Sequence, residues 1–407
     1  MKPIVLGSLL ASTLLLPIAQ AQKISDDVVK IGVLTDMSGV YADLAGSGSV
    51  LAAKMAIADF AADQKVLGKS IVLVSADHQN KPDIAANKAR EWYEKDKVDV
   101  IVDLVSTNTA LAVMEIAEQK NRITLVSGAA SLPITNEKCT ATNVHWVYDT
   151  YGLANSTAKA IVNSGKKRWF FVTADYAFGT ALEKNASEVV LANGGTVVGD
   201  VRHPFPGSDF SSYLLKAQAS NADVIALANA GQDAINSVKQ AAEFGIMGSK
   251  QTVVPLLMFI SDVHALGLQT AQGMMLTEAF YWDQNPKARA WSKRFLEQHK
   301  RMPTMAQAGV YSAVTHYLRS VAAARTDAAV SVMARIKSLP VHDFFANNGR
   351  VRADGRMIHD MYLLQVKKPD ESKYPWDYMH VREVIAGDQA FMPLSASKCP
   401  LVSRASR

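Results

Sequence analysis

Short apolar, β-branched runs alternate along this chain with stretches in which apolar residues return every three to four positions. Residues 28–34 read as a buried strand, and 48–63 repeats Val50, Ala53, Met55, Ile57 and Ala58 at helical spacing. The same order continues with strands at 71–75, 99–104 and 123–126 and helices at 83–95 and 109–120. It restarts after a connecting segment at 144–152. Strands are then expected at 169–173, 196–201 and 224–228, and helices at 178–193, 209–220 and 233–244. A strand at 274–280 is expected to return the chain to the first unit, where 288–299 and 307–323 supply helices. Asp354-Gly355 is the tight-turn pair of a late hairpin between 349–351 and 357–366.

Alternation of this kind predicts βαβ units and parallel sheets, hence an α/β fold. Because it restarts, two lobes are expected. Open parallel sheets bind ligands in the crevice beyond the carboxyl ends of their strands, so the residues that follow strands are the ones to weigh.

The first 21 residues carry one early charge at Lys2, an apolar stretch from Ile4 to Ala19 interrupted by Pro17, and then Ala19-Gln20-Ala21. This is the pattern of a secretory signal peptide cleaved after Ala21, and it places the mature chain in the periplasm. No Cys follows the site, so no lipid anchor is expected. About 385 residues remain, more than one core usually serves. The net charge of +5 is spread over 407 residues with acids and bases interleaved, which excludes a nucleic-acid footprint. In an oxidising compartment, Cys139 and Cys399 are expected to form one disulfide tying the C-terminal tail to the first lobe; two separate buried thiols are the alternative.

Catalytic motifs are absent: there is no phosphate loop, no G-x-S-x-G elbow and no H-E-x-x-H. Gly46-Ser47-Gly48 opens a helix after a strand, but Leu51 stands where a dinucleotide fingerprint needs glycine. No cofactor and no metal are expected. Asp77, His78, Asn80 and Asp83 cluster after a strand and read as loop capping. Ser106 and Thr107 precede a helix, whose free N–H groups and dipole attract an anion such as a carboxylate. Residues 127–131 (Ser-Gly-Ala-Ala-Ser) add donors and let a ligand approach closely. Tyr41, Tyr148, Tyr151, Tyr176, Phe178 and the Phe280-Tyr281-Trp282 run fall where two lobes should meet, which suits an apolar pocket with few polar anchors.

These residues resemble the type I periplasmic binding proteins of the branched-chain amino acid receptor kind, the solute-binding proteins of ABC importers. The resemblance rests on Ile31-Gly32-Val33-Leu34 with Asp36-Met37-Ser38-Gly39, on 99–103 with Thr107, and on 127–131. It continues in Asp175-Tyr176-Ala177-Phe178-Gly179, Glu243-Phe244-Gly245 and Asp354-Gly355-Arg356, so that nearly the whole mature chain is covered. It implies two doubly wound lobes with parallel central sheets, joined by a three-strand hinge that closes them on a ligand. The first lobe is expected at 22–147 with 279–345, the second at 148–278 with 346–380, and 381–407 as a tail returning towards the first. The carboxylate of the ligand would then be held at Thr107, Ala129 and Ser131, with Tyr41, Leu44, Ser106 and Ala130 as further ligand-binding residues. The second lobe would contribute Tyr176, Phe178, Gly231, Gln232, Asp233, Ile260 and Tyr281.

Amino-acid receptors of this kind place an acid in the second lobe against the ligand ammonium, and 259–261 offers none. Unless Asp233 or Asp262 substitutes, the expected ligand is a small carboxylate without an α-ammonium, such as an aromatic or hydroxy acid; otherwise it is a branched-chain-type amino acid. The expected partners are that small molecule and an ABC permease, with the protein itself a monomer and not an enzyme. A ligand-sensing receptor subunit of the same fold and an exported hydrolase are the alternatives.

Overall fold

The computed structural model describes residues 23–405, so the signal peptide expected at 1–21 lies outside the described residues. Strands β1 (Val28–Thr35), β2 (Lys65–Val66), β3 (Lys69–Asp77), β4 (Val100–Asp103), β5 (Ile123–Val126) and β6 (Asn143–His145) form one sheet in the order β2-β3-β1-β4-β5-β6. All its pairings are parallel except the β2–β3 hairpin. Every residue of β4 and β5 is buried, because helices cover both faces. Helices Gly46–Phe60 and Met305–Ala324 pack together on one side, and Pro82–Glu91 and Thr107–Gln119 on the other.

The second sheet contains β7 (Arg168–Ala174), β8 (Thr196–His203), β9 (Val224–Ala228) and β10 (Thr252–Pro255) in the order β10-β9-β7-β8, all parallel. Helices Ala177–Ala192, Ser211–Ala219 and Gln232–Glu243 connect its strands, close to the predicted positions. Both sheets are therefore the doubly wound α/β units that the alternation of patterns predicted.

Where the strand pattern is brief or interrupted, the structure departs from expectation. Strand β11 (Met275–Glu278) does not join the first sheet. Past it come β12 (Val341–His342), β13 (Asn347–Val351) and β14 (Met357–Ile358), a small antiparallel group whose Arg356 bridges to His145 at the end of β6. Residues 347–358 thus sit beside the first sheet, although the sequence placed them in the second lobe. The predicted strand 357–366 is broken at His359-Asp360, and its second half, β15 (Met361–Val366), pairs antiparallel with β11. Strand β16 (Met379–Ile385) completes that third sheet, so 381–385 is strand and not tail. Helices at 150–163 and Ala329–Ser338 were also not anticipated.

The segments between the sheets are held by buried polar contacts. Arg356, fully buried, reaches Asp149 at 3.6 Å, donates to the Tyr148 carbonyl at 3.2 Å and lies 4.4 Å over the Phe391 ring. The His359 imidazole lies between the carbonyls of Val147 and Asp360. Cys139 and Cys399 are joined in a disulfide, which brings the tail onto the segment after β5. Among the described residues no helix is long and apolar enough to cross a membrane.

Candidate functional site

Between the carboxyl ends of the two parallel sheets lies a narrow cavity of about 10 Å³. From the first sheet's side it is lined by Tyr41, Leu44, Val105, Thr107, Gly128 and Ala130, and from the other by Tyr176, Phe178, Ala230, Leu257 and Phe259, with Tyr148 from the connecting segment. Five of these side chains are aromatic and none is charged.

The loop that presents Tyr41 is built on two carboxylates. Asp36 accepts from the N–H of Gly39 (2.7 Å) and of Tyr41 (2.9 Å), while Asp77 accepts from the Ser38 hydroxyl (2.6 Å) and the Met37 N–H (3.1 Å). His78 accepts from the Asn80 N–H at 3.0 Å and is held near pH 4 by burial, so it stays neutral. The cluster at 77–80 is loop bracing, as the sequence indicated.

Thr107 begins a helix of 13 residues whose N-cap, Ser106, makes no side-chain cap. The first-turn N–H groups of such a helix have no intrahelical acceptor and form an anion-favouring end. The Thr107 hydroxyl lies 3.1 Å from that of Ser131, which also reaches the Ala177 carbonyl at 3.4 Å. Gly128 is demanded by packing: a Cβ there would come within 2.6 Å of Val105 Cα and 2.9 Å of Asp103 Oδ1. Burial pushes the Asp103 carboxyl up to about 6. The Tyr148 hydroxyl donates to the Gly128 carbonyl at 2.5 Å, which fixes its ring at the base of the cavity.

Opposite Tyr41, the Tyr176 hydroxyl shares a hydrogen bond with the Tyr41 hydroxyl. Burial raises the pKa of both phenols, so both keep their protons at neutral pH. The loops after β1 and β9 also meet directly: Gln232 N–H donates to the Val40 carbonyl at 3.1 Å. A Cβ on Gly231, whose φ is +59°, would lie 2.4 Å from that carbonyl oxygen.

The structure thus brings six of the expected ligand residues together on the cavity wall: Tyr41, Leu44, Thr107, Ala130, Tyr176 and Phe178. Ser106 and Ser131 stand immediately behind it, and the Ala129 carbonyl is engaged by His145 at 2.7 Å. Gly231 and Gln232 line an adjoining groove with Leu44 and Asp262. Three expectations fail. Ile260 is buried at the start of its own helix, and Phe259 takes the cavity position. Tyr281 turns to the Trp376 carbonyl at 3.5 Å and packs against Trp282, away from the cleft. Asp233 points inward and accepts from the Gly207 N–H at 3.1 and 3.2 Å, with burial pushing its carboxyl up to about 7. Val105, Ala230 and Leu257 lacked a sequence signal beyond their place after strands, whereas Gly128 belongs to the small-residue segment 127–131 that the sequence singled out.

No acid lines the cavity itself: Asp103, Asp233, Asp262 and Glu278 are all buried in its surroundings. Asp262 accepts from the Phe259 N–H at 3.0 Å and is pushed up to about 7 by burial. Glu278, fully buried, lies well above the usual carboxylate range from burial and the nearby Asp262.

The periplasmic binding protein family model matches residues 28–372, and the chain belongs to that family. A periplasmic binding protein from Burkholderia mallei is 51% identical, with 92% of this chain and 99% of that one covered and a TM-score of 0.90. A branched-chain amino acid ABC transporter periplasmic ligand-binding protein from Burkholderia xenovorans LB400 is 40% identical, covering 92% and 100% of the two chains with a TM-score of 0.82. Leu/Ile/Val-binding protein homolog 6 of Brucella melitensis is 26% identical over 365 residues, 86% of this chain and 90% of that one. Proteins of this kind are transporter binding components rather than enzymes; they take up small ligands in the periplasm for ABC permeases.

Proposed function

We propose that this chain captures a small organic carboxylate without an α-ammonium group, an aromatic or hydroxy acid, and delivers it to an ABC permease. The observation that carries this reading is the neutral, aromatic cavity wall: five aromatic side chains, no charged one, and at one end the opening turn of the helix begun by Thr107. A carboxylate would be met there by N–H groups and the Thr107 and Ser131 hydroxyls. An α-ammonium would find no acid on the cavity wall, since Asp103, Asp233, Asp262 and Glu278 are buried and none of them lines the cavity. Burying an unpaired ammonium costs far more than an aromatic wall returns. Flat rings suit the stacked and edge-on faces of Tyr41, Tyr148, Tyr176 and Phe178.

The test is a thermal-shift screen of the ligand-stripped protein against aromatic acids, hydroxy acids, branched-chain amino acids and their amides. Ligand at roughly 100 times its dissociation constant should add about 2.7 kcal/mol. A raised midpoint with aromatic or hydroxy acids is expected. A response confined to amino acids such as leucine would sink the proposal and send the search for the ammonium's partner to Asp262 and Glu278.

A further inference from the structure

Phe205 is absent from the cavity wall, yet it touches the two residues that close it. Its ring stacks on Tyr176 at 4.1 Å and 17°, and on Tyr41 at 5.6 Å and 29°. Tyr41 comes from the loop after β1 and Tyr176 from the turn after β7, so one ring spans the meeting line of the two sheets' domains. The turn that carries Phe205 is pinned on both sides. The His203 imidazole donates through Nδ1 to the Pro204 carbonyl at 2.8 Å, leaving Nε2 to accept from Asn229 at 3.2 Å. On the other side Gly207 N–H is anchored on the buried Asp233 carboxyl. Such bracing is more than a surface aromatic needs. It fixes a ring against a hydrogen-bonded pair whose members belong to opposite sides of the cleft.

We propose that Phe205 is a positioning residue for closure: it holds the Tyr41 and Tyr176 rings in register so that their hydroxyls meet, and thereby sets how long the cleft stays shut on its contents without touching them. Its bearing on ligand retention rests on the reading of the cleft as the ligand site. Asp233 acts through the same turn, which gives that residue a task other than ammonium binding.

Closure can be read without any ligand. Nitroxide labels at Lys54→Cys and Lys184→Cys, exposed positions on helices Gly46–Phe60 and Ala177–Ala192, report the distance between the two sides by pulsed dipolar spectroscopy on the full mature protein. Each stacked pair shifts an equilibrium by about 2- to 10-fold. Phe205→Ala should therefore lose the short-distance population by at least that factor, and Phe205→Tyr, which keeps the ring, should retain it. A Phe205→Ala distribution that superimposes on the parent overturns the proposal. Should Phe205→Ala fold poorly, Phe205→Leu keeps apolar bulk without a ring: loss of the short distance upholds positioning, and an unchanged distribution ends it. Because the measurement contains no ligand, a screen in which no acid binds would defeat the proposed function while leaving this result to stand or fall by itself.

Discussion

The hydroxyl of Thr107 stands 3.1 Å from that of Ser131, so the loops after two adjacent parallel strands, β4 and β5, are joined at the floor of the cleft. Each hydroxyl can turn from its partner to an incoming carboxylate oxygen while the bare helix N-terminus supplies further donors.

Thr107→Val keeps the shape of the side chain and removes that donor. Affinity for the best acid from the screen should fall by roughly 1–3 kcal/mol, the cost of leaving a buried acceptor unsatisfied. Thr107→Ser should restore most of it. Titration calorimetry decides; equal affinity for Thr107→Val would show that the carboxylate sits elsewhere.

Gly231→Ala should weaken binding by obstructing closure. The new Cβ would lie 2.4 Å from the Val40 carbonyl oxygen and 2.8 Å from Tyr41 Cδ1. Overpacking of this kind costs about 1–3 kcal/mol. The penalty falls on the closed form, so stopped-flow measurements should show mainly faster dissociation, with the melting temperature of the unliganded protein changed less than the affinity.

Asp262 links stability to pH. Its folded pKa, about 7, lies above that of an unfolded aspartate, so the folded protein holds the extra proton between about 4 and 7. The stabilisation is full below that window and is lost as pH rises through it. Asp262→Asn can still accept from the Phe259 N–H but carries no proton to lose. Melting curves from pH 4 to 8 should show the parent losing stability relative to Asp262→Asn as pH rises. Parallel curves would mean that Asp262 titrates normally. The buried histidines, His78 among them, act with the opposite sign, which is why the comparison is between variants and not across pH alone.

The disulfide closes a span of 260 residues. Cys139→Ser with Cys399→Ser should lower stability by about 2–5 kcal/mol in urea unfolding, chiefly by freeing the unfolded chain. Binding should be little affected, because neither residue lines the cavity.

The sequence by itself determined the two α/β units and the loops that matter. Its period-two and period-3.6 patterns are the direct imprint of burial on strands and helices, and a parallel sheet forces the loops after its strands into one crevice. Tyr41, Thr107, Ala130, Tyr176 and Phe178 were legible for that reason, and Leu44 only through the family resemblance. Ion pairing and side-chain direction were not, because both depend on what arrives from far along the chain. Asp233 looked available to a ligand until the turn at Gly207 claimed it. Phe205 carried no pattern of its own and gained its role only when Tyr41, 164 positions away, came to rest against it. Tyr281 had an aromatic neighbourhood in sequence but was drawn from the cleft by Trp376. The late strands were misplaced for the same cause: 357–366 is continuous in pattern, and only the competition between the edge of the first sheet and β11 breaks it at His359. Local spacing sets which residues can face a core or a cleft; which of them do is decided by long-range packing.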